Sequence, residues 1–157
     1  MVMKKYLFTI VLLLGIAFSF NASTNDDDIK ISENDLPEKS KTFLKTHFPS
    51  AKFLWGERDK DSYDIRLDNG FEIEFSLDGE WDSIDSNRTK EIPASILALT
   101  PKSMAEYVKK NHQGAIITSI DKKHDWNRNH SGYEIELNNC KDELEFGAEG
   151  NFIRYDK

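Results

Sequence analysis

At 157 residues the chain holds one domain or two small packed units. Its 28 acidic residues outnumber its 21 Lys and Arg, giving a formal charge of −7. An acidic chain without a basic cluster argues against a nucleic-acid partner and against docking on anionic lipid. Apolar residues fall in alternating runs, which argues against disorder despite a charged content of 31%.

Met1–Lys5 is a short basic start, and Tyr6–Phe20 is apolar apart from Thr9, Gly15 and Ser19. That run is shorter than the roughly 20 residues that span a bilayer. The pattern predicts a secretory signal peptide over residues 1–22, with Ala22 as the candidate cleavage position; an uncleaved anchor is the alternative. Losing Lys4 and Lys5 would take the charge from −7 to −9. No Cys stands at the end of the apolar run, so a lipoprotein anchor is not expected. The expectation is a periplasmic or extracellular protein without stable membrane insertion after cleavage. Residues 23–33, with Asp26, Asp27 and Asp28, read as a flexible acidic leader.

Folding is expected to start at Asn34-Asp35-Leu36-Pro37, where Asn34 or Asp35 can cap a helix and Pro37 suits its first turn. Phe43, Leu44 and Phe48 form an apolar stripe, and Pro49 stops the helix. Strands are predicted at 52–55, 63–67, 71–77 and 81–84, with turns at Asp68-Asn69-Gly70 and Asp78-Gly79. A second helical region opens at Ile92–Ile96, is interrupted at Thr100-Pro101, and resumes to Asn111 with Met104, Tyr107 and Val108 on one stripe. Strands then recur at 115–120, 133–137, 144–146 and 152–155.

The two stretches can be superposed. Phe43-Leu44-Lys45 matches Tyr107-Val108-Lys109, and Tyr63-Asp64-Ile65-Arg66-Leu67 matches Tyr133-Glu134-Ile135-Glu136-Leu137. Glu74-Phe75, Gly79 and Trp81 match Glu145-Phe146, Gly150 and Phe152. The second copy has the longer loop between its first two strands, at Asp121–Ser131. The domain reading is therefore two repeats, 34–86 and 92–157.

A helix ending near Pro or Gly, then Tyr-acid-Ile-x-Leu, then an acidic-aromatic strand closed by Asp-Gly-x-Trp, resembles the β-lactamase-inhibitor-like, PepSY-like family of exported bacterial proteins. The resemblance covers Leu36–Asp156. It implies an α+β fold: two tandem helix-plus-four-stranded antiparallel modules forming one continuous sheet, with the helices packed on one face. It does not imply inhibition of a β-lactamase. The named inhibitor uses cystine-supported loops, whereas this chain has one Cys and a tight turn at Asp68-Asn69-Gly70. No inhibitory residue is carried over.

Strand alternation places Tyr63, Ile65, Leu67, Phe71, Ile73, Phe75 and Leu77 on the helix-facing side in the first copy. Tyr133, Ile135, Leu137, Leu144 and Phe146 are their counterparts. The opposite side then carries Asp64, Arg66, Glu72 and Glu74, followed by Glu134, Glu136, Glu143 and Glu145. Arg66 and Arg154 are the expected internal counter-charges. Two readings stand: a solvated sheet surface, or a docking face for a basic protein surface in the cell envelope. Trp55 and Trp81 are candidates to flank that face or to fill the core.

Asp59–Asp64 begins like a calcium loop, but Asp64 stands where Gly is needed and Gly70 where Glu is needed. His124 and His130 share a loop with Asp125 without ligand spacing. No phosphate loop, nucleophile elbow or zinc-hydrolase motif occurs, so neither cofactor nor catalytic residue is assigned. The functional expectation is an exported, non-enzymatic binding protein. The alternatives are a periplasmic enzyme with a carboxylate pair on the sheet, and an inhibitor of a secreted enzyme by family analogy. Cys140 takes the turn position of Gly70, where it is expected to be exposed. The one bridge open to it is intermolecular, in a Cys140-linked dimer.

Overall fold

The computed structural model of the chain describes residues 29–125, 127 and 129–156. The expected signal peptide and the first part of the leader lie outside the described residues. Among the described residues nine strands form one antiparallel sheet in which every strand pairs with its sequence neighbours. They are β1 (Ile29–Lys30), β2 (Phe53–Arg58), β3 (Ser62–Leu67), β4 (Glu72–Ser76), β5 (Trp81–Asp85), β6 (Ile117–His124), β7 (His130–Leu137), β8 (Glu143–Gly147) and β9 (Phe152–Asp156). Among the described residues three α-helices accompany the sheet: α1 (Glu38–His47), α2 (Ala94–Leu97) and α3 (Lys102–Asn111).

The sheet holds together through one apolar row. Ile65, Ile73, Ile84, Ile120, Ile135 and Leu144 lie opposite one another from β3 to β8. All are buried to 2% exposure or less. β-branched side chains suit this pleated surface. Burying each isoleucine contributes about 1.5–3 kcal/mol. Leu44 and Phe48 of the α1 stripe and Met104 and Val108 of α3 join the same core.

The two long helices dock by the same geometry. Phe43 of α1 meets Phe75 edge-on at 5.6 Å and stacks toward Trp81. Tyr107 of α3 meets Phe146 edge-on at 5.5 Å and stacks on Phe152. Beside each pair a glycine turn presses on the helix start. Gly79 has φ +85° and lies against Pro37, Lys39 and Ser40; Gly150 has φ +77° and lies against Pro101, Ser103 and Met104. Ser40 donates to the Gly79 carbonyl at 3.3 Å, and Ser103 donates to the Glu149 carbonyl at 3.1 Å.

Several expectations need correction. The leader ends sooner than expected, because Ile29–Lys30 pairs with β2 and Glu33–Asp35 forms a short 3-10 turn. Asp35 accepts bonds from the Ser32 amide and hydroxyl within that turn, so Pro37 holds the N-cap of α1 instead of Asn34 or Asp35. Leu77 lies beyond the end of β4 and is 42% exposed. Cys140 is half-buried against the core instead of exposed.

Candidate functional site: the acidic sheet face

The side of the sheet away from the helices carries an unbroken polar row. Lys30, Glu57, Asp64, Glu74, Ser83, Asp121, Glu134, Glu145 and Arg154 lie opposite one another from β1 to β9. A second row on the same side runs Trp55, Arg66, Glu72, Asp85, Ser119 and Glu136 from β2 to β7. Glu143 and Asp156 continue it on β8 and β9. The structure thus brings Asp64, Arg66, Glu72, Glu74, Glu134, Glu136, Glu143, Glu145 and Trp55 onto one surface. Trp81 does not belong there. It is 4% exposed and stacks on Phe43 on the helix side, because it lies opposite Phe75 across a bulge.

The carboxylates are more closely packed than a freely solvated surface would require. Glu72 retains 14% side-chain exposure and Glu145 15%. Asp64 faces Glu74, Glu72 faces Asp85, and Asp121 faces Glu134. Like charges directly opposite repel.

Cations answer part of this charge. Arg66 pairs with Glu72 at 2.5 Å, and Arg154 pairs with Glu145 at 2.7 Å. Two further counter-charges escaped the sequence reading. Lys123 lies 3.2 Å from Glu145 and 3.8 Å from Glu134. Arg88 reaches from the β5–α2 link, where it holds φ 60°, to Glu136 at 2.8 Å and the Cys140 carbonyl at 2.6 Å. Lys123 was missed because the sequence reading placed Asp121–Ser131 in a loop, whereas β6 continues to His124 and sets Lys123 two residues beyond Asp121 on the strand. Arg88 had no sequence signal.

The rest of the charge shows as displaced titration. Burial, then the repulsion of Asp64, Asp82, Asp121 and Asp61, pushes the Glu74 carboxyl up to about 7. Among the described residues no cation sits against it. Burial raises Asp121 to about 6, although hydroxyls of Ser83 and Ser119 partly offset it. Burial and a hydrogen bond shared with Glu134 raise Glu143 to about 7. Burial also raises Asp85.

Neither of the two best-formed clefts takes in Glu74 or Glu143. Among the described residues no group of three or more His, Cys, Asp or Glu is arranged to hold a metal ion. Among the described residues no helix is long and apolar enough to cross a membrane.

Residues 14–79 and 61–154 match the family described as "Putative beta-lactamase-inhibitor-like, PepSY-like". The chain belongs to this PepSY-like family. A solved "putative calcium-regulated periplasmic protein" from Bacteroides thetaiotaomicron is similar at 28% identity and a TM-score of 0.70. That match covers 83% of this chain and 98% of the other. A second, a "putative periplasmic protein" from Bacteroides vulgatus, is similar at 30% identity and a TM-score of 0.71. It covers 85% of this chain and 100% of the other. No curated protein matches the chain. Both solved relatives are described as putative periplasmic proteins, and this chain is likewise periplasmic or extracellular.

Proposed function

We propose that this PepSY-like protein is a non-enzymatic binding protein whose acidic sheet face docks a basic protein surface in the cell envelope. One observation carries the reading. The carboxylates of β3–β6 lie side by side on the open face, and burial, then the repulsion of Asp64, Asp82, Asp121 and Asp61, raises Glu74. A positive partner relieves that repulsion, so contact is favourable where the free face is strained. Complementary charge of this kind speeds encounter more than it deepens affinity.

The enzyme alternative needs a carboxylate pair enclosed with a substrate. Glu143 and Glu134 share a hydrogen bond, but neither lines a well-formed cleft. The family description keeps inhibition of a secreted enzyme as a form of the same binding role. In this reading the chain is two repeats, 34–86 and 92–157, with the matching Phe43 and Tyr107 contacts as its support. Residues 1–22 act as a cleaved signal peptide. An N-terminal sequence of the exported protein that still began at Met1 would refute that last point.

The test of the binding role is capture from envelope extract on two immobilised proteins. One is the wild type; the other carries Glu72, Glu74, Glu134 and Glu136 replaced by Gln. The expected result is a basic protein retained by the first and lost from the second. Equal retention on both would show that the face is not the docking surface.

A further inference from the structure

The pairing of β8 with β9 follows that of β4 with β5 step for step. Asp85 faces Glu72, Ile84 faces Ile73, Ser83 faces Glu74 and Trp81 faces Phe75. In the same order Asp156 faces Glu143, Tyr155 faces Leu144, Arg154 faces Glu145 and Phe152 faces Phe146. Each pairing shifts at the same step, just before the aromatic pair. The two strands differ in what lies beyond them. β5 receives β6 with Ile84 opposite Ile120, and Ile84 is fully buried. Among the described residues β9 pairs with β8 alone, and Tyr155, at the position of Ile84, is 43% exposed. Ile153, the extra residue at the shift, is also exposed.

The opposite edge of the sheet is closed from within the chain. β1 pairs with β2, and the Ile31 amide donates to the Gly56 carbonyl at 3.0 Å. β1 has two residues, and an edge strand that short is a poor template for further pairing. β9 has five. A docked helix does not obstruct such an edge. α1 packs on Phe75 and Trp81 as α3 packs on Phe146 and Phe152, yet β5 takes β6 beside it.

β9 is also complementary to itself. Arg154 and Asp156 flank Tyr155, and both lie on the open face, opposite Glu145 and Glu143. Two antiparallel β9 strands related by a two-fold axis at Tyr155 set Arg154 of each copy opposite Asp156 of the other. An axis at Arg154 or at Asp156 would set like charges opposite instead. Within its own chain Arg154 already pairs with Glu145 at 2.7 Å and lies 3.8 Å from Asp156. The second Asp156 joins that ion pair, so charge selects the register more than it supplies affinity. Affinity comes from the backbone ladder and from the facing Tyr155 rings. Each ring is already held in place, its hydroxyl 3.2 Å from His112 Nε2 and its centre 5.0 Å from that of Phe152.

We infer that β9 is a dimerisation edge, on which a second copy of this chain pairs its own β9 with Tyr155 opposite Tyr155. The two nine-stranded sheets become one. The two-fold axis stands perpendicular to the sheet, so both sets of helices lie on one side and the two acidic faces are continuous. The pairing does not depend on the basic partner proposed for that face.

Sedimentation velocity of the exported protein tests the inference, from about 10 µM to about 1 mM, with dithiothreitol present so that no Cys140 bridge contributes. A single strand pair is a small interface, so the expected dimer is weak, with a dissociation constant on the order of 100 µM. Arg154→Glu makes both flanking charges acidic, and Asp156→Arg makes both basic. Each variant alone should weaken the dimer at least about tenfold, and an equimolar mixture of the two should associate at least as well as wild type. Tyr155→Ser keeps the charges and should also weaken the dimer about tenfold. It carries the test if thermal melts show a charge variant to be unfolded. Wild type that stays monomeric to about 1 mM overturns the inference. So does a dimer unmoved by Tyr155→Ser, or a mixture of folded charge variants that associates no better than either alone.

Discussion

The open face of β3–β5 and that of β7–β9 have similar carboxylates and different company. On β7–β9, Glu134, Glu136 and Glu145 each have a basic group within 4 Å, from Lys123, Arg88 or Arg154. On β3–β5, Arg66 answers Glu72, while Glu74 faces Asp64 with Asp61, Asp82 and Asp121 around it. The comparison separates two uses of one strand pattern. On β7–β9 each of Glu134, Glu136 and Glu145 has its own cation, and the raised group there is Glu143, which burial and Glu134 push up to about 7. On β3–β5 burial and acidic neighbours raise Glu74, a cost that an external cation can lessen. The β3–β6 part of the face is therefore where a partner should gain most.

The helix side shows the opposite relation, a likeness, and it gives the largest expected effects. Phe75 and Phe146 are fully buried beneath equivalent ring contacts. Phe75→Ala and Phe146→Ala should each cost about 3–5 kcal/mol. Denaturant unfolding measures both. A large loss at one site and almost none at the other would break the equivalence of the two helix dockings.

The glycine turns come next. Gly79→Ala and Gly150→Ala place a Cβ at positive φ and against a helix start, and each should cost on the order of 1–3 kcal/mol. Gly114 also has positive φ, but a Cβ there meets nothing within 4 Å. Gly114→Ala should therefore cost less, roughly 1 kcal/mol. Equal losses at all three positions, read from thermal melts, would mean that backbone strain alone matters and that the helix contacts add nothing.

The pH response of Glu74 sharpens the contrast between the two faces. Its folded-state carboxyl titrates at about 7, above the ordinary 4.5. The folded state thus holds a proton that the unfolded state has released, and stability falls as pH rises from 4.5 through 7. Glu74→Gln removes this penalty. The variant should be more stable than wild type at pH 8, by on the order of 1–2 kcal/mol, and nearly equal to it at about pH 4. Glu134→Gln, beside Lys123, should change stability by less than about 1 kcal/mol. Denaturant melts at the two pH values check the pair. A destabilised Glu74→Gln at pH 8 would mean that a cation compensates Glu74 after all.

Much of this architecture was legible in the sequence. Tyr63-Asp64-Ile65-Arg66-Leu67 and its match at Tyr133–Leu137 fix which side chains share a face, because alternation has only two phases. The glycines at 79 and 150, and the aromatic pairs that they flank, follow from the same comparison. What the sequence hid depends on departures from regularity. The bulge between Glu74 and Phe75 puts Trp81 with the core. Arg88 reaches Glu136 through a link that holds positive φ at Asn87 and Arg88, a conformation that Asn tolerates but that Arg does not announce. The short β1 is too brief to show alternation.

The central claim, that the acidic face docks a basic partner, is tested most directly by the association rate of the captured partner as salt is raised. Stopped-flow mixing of wild type should show the rate falling steeply above about 0.1 M salt, where the screening length is about 10 Å. Lowering the pH from 8 to about 5.5 should slow it further, as Glu74 takes up its proton. The variant with Glu72, Glu74, Glu134 and Glu136 replaced by Gln should associate slowly at low salt and respond weakly to both changes. Association of that folded variant at the wild-type rate, with the wild-type salt dependence, would contradict the account.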